Sequence, residues 1–521
     1  MGQAIQRRVQ VHDRYQLEFK LGYPLTPGKE TRYLIDTYIF APWTLGINST
    51  AYQSGDFYHD IQNYVRLMTP RLSLAELVDS PESPLATCER LLWNAEGALG
   101  PDAENHLITN LKFLRAIMKS ALQAHLRPFV VSLPGRPQAA ARYDLAQAVD
   151  RLVTLTGDIA ERFRRARVEL DRLTIGRRPL QSWTLTDEAI SLVIEEGSWS
   201  AYQVVDRYLD GEQARAVKQQ LARHIEAETD YRTGQGYGSV LNRSGDNEDY
   251  LTRISFLKKY TSSVLWLSTA TEQEGTTLEQ ILFALVAGVS MFFATVVAFA
   301  FQARFGAFTF PVFVALVVGY MFKDRIKEQG RQLAMRYRRR FRFDKRVVIS
   351  APDGRHRLGF LREKMTYVPE REIPAPVMAA RDRDPSTELS IKSLGEAVIH
   401  YTKEVVLAKD AFRYVELEGL PIDAINDIMR YDIHAFLRKM DNPVQRKPML
   451  DNGELRLVKC HKTYQLNFIS VYRTDDVGAA PIYERVRVIL DRKGICRIEM
   501  PASGSVRQFR IRQRTSEEQY A

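Results

Sequence analysis

The amino-acid sequence predicts an α+β fold with a two-helix transmembrane hairpin in the middle of the chain. Two apolar runs, 281–301 and 305–322, predict the hairpin, because about 20 helical residues cross a hydrocarbon core of roughly 30 Å. Apolar and polar residues alternate near both ends of the chain, which indicates strands, and apolar stripes at helical spacing lie within 107–173. We expect an N-terminal β-hairpin plus long antiparallel helices, and C-terminal helices plus an antiparallel β-meander.

Composition narrows the class of protein. The chain has 521 residues, enough for roughly three or four domains, and its mean hydropathy of −0.28 excludes a polytopic transporter. Its three cysteines, Cys88, Cys460 and Cys496, lack the spacing of a zinc site or a disulfide framework. We therefore expect a reducing, cytoplasmic setting for the soluble parts, with no metal and no cofactor.

The positive charge is concentrated directly after the second apolar run. Residues 323–346 hold eleven basic and three acidic side chains, a net +8 of the +10 of the whole chain. Basic residues beside a span stay cytoplasmic, so membrane topology explains this charge and argues against nucleic acid as a partner. The side chains expected to meet anionic lipid head groups are Lys323, Arg325, Lys327, Arg331, Arg336, Arg338, Arg339, Arg340 and Arg342.

A β-hairpin is predicted within residues 1–50. Residues 15–21 alternate between apolar and polar, which is the period of a half-buried strand. A stretch rich in proline and glycine follows, and residues 32–40 are rich in Tyr, Ile and Phe. We expect the strands 15–21 and 32–40 to pair with each other.

A helical cytoplasmic domain is expected over residues 51–231. Two apolar stripes, at 107–121 and 145–173, predict two long helices packed against each other. An intermolecular coiled coil that uses the second stripe is the alternative. Residues 232–247 are rich in Gly, Ser and Asn and predict a linker.

The membrane part is expected over residues 248–346. Residues 248–269 predict an amphipathic helix that enters the membrane, and a turn at about 302–306 joins the two spans. Two passes return the chain to its starting side, so both large flanks are expected to be cytoplasmic. The small residues that suit close helix packing are Ala284, Gly288, Ala294 and Ala298. They would pack the hairpin against itself, with dimerisation as the alternative.

A basic helical stalk is expected to continue from the second span. Its apolar stripe consists of Phe322, Ile326, Leu333, Tyr337 and Phe341. This stripe would pack against the helix that enters the membrane, or it would lie on the membrane surface as basic amphipathic helices do.

The C-terminal domain, residues 347–521, is expected to be α+β. Residues 347–350 and 356–361 flank a turn signal and predict a hairpin, and helices are expected over about 396–440. The expected strands of the meander are 454–460, 464–472, 484–490, 496–500 and 506–512.

The sequence offers weak candidates for chemistry. Asp56, His59 and Asp60 lie within one helical turn and could form a general-base or metal site, although helix capping explains them more simply. Asp432 and His434 fall in the expected helix, where residues two apart point to different faces and form no dyad. We find no nucleotide-binding, hydrolase or metalloenzyme motif.

These patterns indicate a membrane-anchored cytoplasmic scaffold, sensor or regulatory protein in a bacterial inner membrane, with both termini cytoplasmic. Its expected partners are the lipid bilayer and another protein or a second copy. One alternative is a membrane-tethered enzyme with an unfamiliar active site. The other is an oligomeric, pore-forming or membrane-perturbing effector.

Overall fold

A computed structural model describes most of the chain and shows a mixed α+β fold, as the sequence predicts. The residues outside the description are 1–4, 27, 96, 132–138, 273–275, 307–308, 342, 353, 355, 382–394, 412, 414–419, 421, 476–478, 503–504 and 511–521. The chain forms two compact units. Unit 1 holds residues 1–65, 268–411 and 427–521, and unit 2 holds 66–267 and 412–426. Both units combine separated stretches of the chain.

The bounds of the secondary-structure elements are as follows. The strands are β1 (Gln6–Val11), β2 (Gln16–Pro24), β3 (Thr31–Pro42), β4 (Ile61–Leu67), β5 (Ser268–Glu272), β6 (Lys345–Ser350), β7 (Arg357–Tyr367), β8 (Glu396–Leu407), β9 (Ala424–Asp432), β10 (Val444–Asp451), β11 (Glu454–His461), β12 (Tyr464–Thr474), β13 (Ile482–Asp491), β14 (Gly494–Ala502) and β15 (Ser505–Arg510). The helices are α1 (Ser54–His59), α2 (Leu74–Asp79), α3 (Pro84–Trp93), α4 (Pro101–Val131), α5 (Ala139–Arg172), α6 (Arg177–Tyr208), α7 (Gly211–Gly234), α8 (Glu248–Ser262), α9 (Thr276–Phe305), α10 (Phe310–Phe341), α11 (Ala375–Arg381) and α12 (His434–Leu437).

Unit 1 is built around a nine-stranded antiparallel sheet. Its strand order is β15-β14-β13-β12-β3-β8-β7-β6-β5. Strand β3 lies between β12 and β8, with Ile35 opposite Tyr472 on one side and Lys403 on the other. The N-terminal and C-terminal parts of the chain therefore share one sheet.

The N-terminal β-hairpin is confirmed, but its strands differ from the expected ones. Strand β2 covers the predicted strand 15–21 and pairs with β1, with Val9 opposite Phe19. The expected pairing of 15–21 with 32–40 is wrong, because β2 belongs to a separate sheet of order β1-β2-β9-β4. Each of β2 and β3 finds its neighbours far along the chain rather than in the other.

The C-terminal antiparallel sheet is confirmed, and β12, β13, β14 and β15 follow each other as the predicted meander. The first expected strand, 454–460, instead pairs with β10 in a two-stranded sheet. The helices expected over 396–440 are wrong for most of that range, which contains β8 and β9. Strand β8 is rich in Val, Ile and Tyr and is buried on both faces, and such a strand lacks the clean alternation of a half-exposed one.

The main core of unit 1 joins residues from both larger sheets. Phe19 of β2 and Ile399 of β8 belong to one buried cluster with Phe468 of β12, and the rings of Phe19 and Phe468 are 5.5 Å apart. Helix α11 covers a smaller cluster in which Val377 joins Phe40 of β3.

A buried ionic cluster lies inside unit 1. Lys403 Nζ is 2.5 Å from Asp427 Oδ2 and 3.6 Å from Glu363 Oε1, and all three side chains are almost fully buried. Tyr23 donates a hydrogen bond to Asp427, and Tyr401 donates one to Glu363. Burial opposes the charge of Lys403, but the two carboxylates outweigh it and raise the pKa of Lys403.

Unit 2 consists mainly of helices, and α4 and α5 both pack against α6. The stripe of α5 is buried, and the ring of Phe163 stacks on Trp183 of α6 with their centroids 4.2 Å apart. Gly197 of α6 lies close to α4, because an added Cβ would be 3.0 Å from Leu122 Cδ1. Since the α5 stripe is covered within the unit, no free stripe remains there for the alternative coiled coil.

The segment after α7 is held against α6. The guanidinium of Arg232 is buried and donates to the Ser239 carbonyl at 3.1 Å and to the Ser191 hydroxyl at 2.9 Å. The hydroxyl of Tyr237 donates to Asp187 Oδ2 at 2.7 Å. Part of the stretch that was expected to be a linker is thus an ordered loop.

The helix expected over 248–269 ends earlier. Helix α8 ends at Ser262, and Leu257 packs with Leu185 and Leu192 of α6. Residues 268–272 form β5, which pairs with β6 at the edge of the large sheet. The expectation that this helix leads directly into the membrane is therefore wrong, because a strand follows it.

Candidate functional site

The first apolar run forms a long, exposed helix. The apolar part of α9, Gln280–Phe305, has 26 residues, and its most apolar 18-residue stretch has a mean hydropathy of 2.5 and is 6% buried. At 1.5 Å per residue it rises about 39 Å. Within the described part of the chain, it is the one helix long and apolar enough to cross a membrane.

Helix α10 packs against α9 in the antiparallel direction. A Cβ built on Gly330 would lie 2.6 Å from Cγ1 of Val286, and a Cβ built on Gly319 would lie 3.6 Å from Cγ1 of Val297. Gly319 and Gly330 are eleven residues apart in α10, and their contacts Val297 and Val286 are also eleven residues apart in α9, in the opposite order. The antiparallel register is therefore constant over three turns. The approach at Gly330 leaves no room for a larger side chain without displacement.

Two of the four small residues of α9 named in the sequence analysis lie away from this contact. Ala284 and Gly288 are exposed, and a Cβ built on Gly288 would touch nothing within 4 Å. Ala294 and Ala298 are half-buried. The closest described approach is made by the two glycines of α10, which share one helix face because they are eleven residues, or three turns, apart. A search of the sequence for small residues at that spacing would have found them.

Large apolar side chains cover the outer surface of the pair. Phe292, Phe299, Phe310 and Phe313 each expose more than half of their surface. An exposed apolar surface of this extent marks contact with a membrane or a protein. The hydroxyls of Ser290 and Thr295 donate to carbonyls one turn earlier in α9, so they do not offer a polar lining.

The basic residues of α10 begin beside the middle of α9. Because Gly330 faces Val286 and Gly319 faces Val297, Lys323 lies level with about residue 293. Its ammonium lies 3.8 Å from the centre of the Tyr320 ring. Arg325, Lys327 and Arg331 are exposed. The side chains of Arg336, Arg338, Arg339 and Arg340 lie outside the described residues, as does Arg342 altogether.

The apolar stripe predicted along the stalk is largely exposed where the structure describes it. Phe322 and Leu333 are exposed, and Ile326 is half-buried. The side chains of Tyr337 and Phe341 lie outside the described residues. The stripe therefore remains a surface feature where it is described.

A small polar pocket lies in unit 1 beside β4 and β9. Its volume is about 110 Å³, and it is lined by Gln16, His59, Asp60, Gln62, Arg430 and Asp432. The carbonyl of Asp60 accepts a hydrogen bond from the Asp432 N–H at 2.8 Å, which brings the two carboxylates to the same pocket. The structure thus joins two of the three sequence candidates, His59 and Asp60, to ionisable groups about 370 residues away.

The surroundings of Asp60 in this pocket raise its pKa. Burial raises the pKa of Asp60, and the charge of Asp432 adds to this, although hydrogen bonds from Tyr52 and His59 oppose it. The hydroxyl of Tyr52 donates to Asp60 Oδ2 at 2.8 Å, and His59 Nδ1 lies 3.6 Å from Asp60 Oδ1. A carboxylate with a raised pKa can exchange a proton with a small ligand.

The positive charge in the pocket is already paired. Arg430 Nε lies 2.9 Å from Glu18 Oε2, and Lys20 Nζ lies 2.9 Å from Glu18 Oε1. Burial works against ionisation of Glu18, but these two hydrogen bonds lower its pKa to about 2. Arg430 is therefore held by a permanent anion and is less able to bind an added one.

Asp56 does not join the pocket. Its Oδ2 accepts the Gln53 N–H at 2.8 Å and completes a capping box at the start of α1. This contact satisfies a backbone donor that the helix leaves open, so Asp56 serves the local structure.

Asp432 and His434 do meet, contrary to the sequence analysis. His434 Nδ1 lies 2.7 Å from Asp432 Oδ1, which also accepts the backbone N–H of His434. Asp432 is the last residue of β9 rather than part of a helix. In the turn that follows the strand, its carboxylate can therefore accept hydrogen bonds from residues just after it. The sequence reasoning missed this contact because it placed the pair in the wrong element.

Among the described residues, no group of three or more His, Cys, Asp or Glu side chains could hold a metal ion. No protein-family model matches the chain, and no curated protein matches it in sequence.

Proposed function

We propose that this chain is a membrane-anchored scaffold, sensor or regulatory protein. In this proposal α9 and α10 cross the bilayer as a hairpin, and both large flanking parts lie on the cytoplasmic side. The observation that carries it is the 26-residue apolar stretch of α9 with its outward-facing apolar surface. A helix of this length is long enough to cross a bilayer core of roughly 30 Å. Inside that core, lipid tails would cover apolar side chains that are otherwise exposed to water.

The charge distribution supports the direction of the hairpin. Eighteen uncharged residues separate Arg304 from Lys323, and the thirteen of them that lie in α10, 310–322, rise about 20 Å at 1.5 Å each. The basic residues of the stalk follow immediately and would meet anionic head groups on the cytoplasmic side. A single arginine at the turn leaves the opposite side almost without positive charge.

A scaffolding or sensing role fits the parts outside the hairpin better than catalysis does. The polar pocket of unit 1 is small, and its arginine is already neutralised by Glu18. Unit 2 holds long helices, whose surfaces commonly bind proteins.

Topology reporters test this proposal. A reporter that is active only outside the cytoplasm should be active when inserted after Arg304 and inactive when fused after Ala521. The matched control inserts the same reporter after Gly453, the turn between β10 and β11, which should also be inactive. Reporter activity at Arg304 that indicates the cytoplasm would exclude the hairpin. So would a full-length chain that stays monodisperse in buffer without detergent.

A second candidate is a membrane-tethered enzyme, which the pocket at Asp60 favours. The pocket brings His59 together with the carboxylates of Asp60 and Asp432, and the pKa of Asp60 is raised. The test is turnover of a panel of phosphate, ester and glycoside substrates by the full chain and by Asp60→Asn. Asp56→Asn is the matched control. Turnover that is lost in Asp60→Asn and kept in Asp56→Asn would establish an active site at the pocket. Equal turnover by the two variants would reject an active site there.

A further inference from the structure

The two-stranded ribbon β10–β11 is exposed along nearly its whole length. Eight residue pairs join the strands, from Val444 opposite His461 to Asp451 opposite Glu454. The turn uses Asn452 and Gly453, both at positive φ, as a tight two-residue hairpin turn requires. An isolated two-stranded hairpin is marginally stable in water, so a ribbon of this length needs a surface to cover it.

The root of the ribbon is held by contacts within unit 1. Lys462 N–H donates to the Pro443 carbonyl at 2.9 Å and extends the ladder by one step. Asp441 contacts Lys462 through an ion pair and accepts a hydrogen bond from the Tyr464 hydroxyl at 3.2 Å. The ribbon therefore projects from a fixed base rather than from a free loop.

The two faces of the ribbon differ in chemistry. Side chains alternate along each strand, and residues opposite each other share a face. We call face A the side formed by Val444, Arg446, Pro448, Leu450, Leu455, Leu457, Lys459 and His461. Its three leucines are its most exposed large apolar side chains, with Leu450 at 69%, Leu455 at 77% and Leu457 at 67%. Face A thus combines apolar side chains with basic ones.

Both acidic residues of the ribbon lie on the other face. Face B is formed by Gln445, Lys447, Met449, Asp451, Glu454, Arg456, Val458 and Cys460. There Arg456 lies 3.5 Å from Asp451 and 3.7 Å from Glu454, and together with Lys447 it gives face B no net charge. Every formal charge on face A is positive.

We propose that the ribbon is a second, peripheral membrane contact, whose face A lies on an anionic lipid surface. The leucines near the turn enter the boundary between head groups and acyl chains, and Arg446 and Lys459 meet the phosphates. The distance from Leu450 to Arg446 along the strand is about 14 Å, so the cations stay at the head groups while the leucines reach the interface. This inference rests on the proposed function, because the hairpin confines the chain to a bilayer.

Charge and size favour lipid over a second copy of the chain. Two copies that met through face A would bring Arg446 and Lys459 against their own equivalents, and like charges repel. The eight side chains of face A are also far fewer than the roughly 20–30 residues that each partner gives to a standard protein interface. An anionic bilayer attracts the same cations and accepts an apolar patch of any size.

The experiment uses the full chain in lipid nanodiscs. An environment-sensitive fluorophore is placed on Leu457→Cys of face A or on Val458→Cys of face B, in a background with Cys460→Ser and Cys496→Ser. Discs contain phosphatidylcholine alone or with phosphatidylglycerol, and acrylamide is the neutral quencher. The label at 457 should be shielded in the anionic discs, whereas the label at 458 should remain accessible in both.

Two pairs of charge variants give a matched comparison. Arg446→Gln with Lys459→Gln removes two cations from face A and should weaken its partition onto anionic lipid about 30-fold, so that label 457 becomes accessible. Lys447→Gln with Arg456→Gln removes two cations from face B and should leave label 457 shielded. Hydrogen exchange of the backbone amides in β10 and β11 shows whether the two strands stay paired in each variant.

Each opposing outcome overturns the inference in a distinct way. Equal quenching of labels 457 and 458 in anionic discs shows that face A does not touch lipid. Shielding that also occurs in detergent and rises with protein concentration assigns face A to a second copy. Shielding that appears only with added nucleic acid assigns it to that polymer. Failure of the chain to enter nanodiscs would instead contradict the membrane hairpin itself.

Discussion

Paired cysteines can test whether α9 and α10 keep their register in a membrane. The Cβ built on Gly330 lies 3.6 Å from Cβ of Val286, and the Cβ built on Gly319 lies 3.9 Å from Cβ of Val297. Both distances fall in the range of about 3.5–4.5 Å that disulfides require. Val286→Cys with Gly330→Cys, and Val297→Cys with Gly319→Cys, should therefore each form an intramolecular disulfide on mild oxidation.

The assay follows free thiols in isolated membranes. A maleimide-linked polymer adds mass for every free cysteine, so an oxidised pair loses two mass steps on a denaturing gel and regains them after reduction. The background carries Cys460→Ser and Cys496→Ser, whereas Cys88 is buried and gives a constant step after denaturation.

The control pair combines Val286→Cys with Gly319→Cys. These positions are displaced by eleven residues along α10, or about 16 Å, which no disulfide can bridge. Cross-linking of the control pair as fast as the matched pairs would refute the register. Dimers alone, without intramolecular bonds, would show that the contact forms between chains rather than within one.

Three further predictions concern stability in detergent, measured as the shift of a thermal or denaturant unfolding midpoint. Gly330→Ala should destabilise the chain by about 1–3 kcal/mol through overpacking, whereas Gly288→Ala, where a Cβ touches nothing, should be neutral or slightly stabilising; equal effects would contradict the packing. Lys403→Met leaves two buried carboxylates without their cation and should cost about 3–5 kcal/mol, so a change below about 1 kcal/mol would show that the cluster is open to water. Because the raised pKa of Lys403 keeps it charged in the folded state, its contribution should be constant at neutral pH and be lost only as the pH rises above about 10.4. Asp60 has a raised pKa in the folded state, so its ionisation opposes folding at neutral pH; Asp60→Asn should raise the midpoint at pH 7, and this gain should vanish as the pH falls below about 3.9. An equal gain at both pH values would contradict that pKa.

Local patterns predicted several strands of this chain but not their partners. The aromatic and β-branched composition of residues 32–40 predicts β3, and the alternation of 15–21 predicts β2. Nothing local indicates that Thr37 of β3 pairs with Tyr401 and Ser470, each more than 360 residues later. Proximity in sequence suggested a hairpin, and long-range packing overrode it.

Residues 396–407 show why a central strand is mistaken for a helix. The segment carries apolar side chains on both faces, because β3 and β7 flank it and core clusters cover its two sides. Such a run has neither a clear period of two nor a clear period of 3.6, and only its Val, Ile and Tyr content favours the strand. The error then displaced Asp432 and His434 into a helix and hid their contact.

The polar pocket could be predicted only in part. Asp60 and His59 attract notice as ionisable neighbours, but their meeting with Asp432 depends on β4 and β9 lying side by side. The raised pKa of Asp60 depends on burial, which is a property of the assembled sheets. Sequence reasoning therefore finds the residue types and cannot find the site.

The charge boundary of α10 limits how the helix pair can lie in a bilayer. Apolar residues 281–293 of α9 run beside residues 323–335 of α10, which carry four basic and two acidic side chains. If all of 281–301 lay in the hydrocarbon core, these six charges would lie there too, and charges are costly at that depth. A core that excluded these charges would lie between Arg304 and the level of Lys323, which the register places about eleven residues or 16 Å apart, roughly half of a typical 30 Å core. The first turns of the apolar stretch would then lie at the head groups or beyond them. Ile281, Leu285 and Val289 then form an exposed apolar ridge next to basic side chains, where lipid tails no longer cover it. An exposed apolar ridge of this kind is typical of interaction surfaces, which agrees with the scaffold role proposed above.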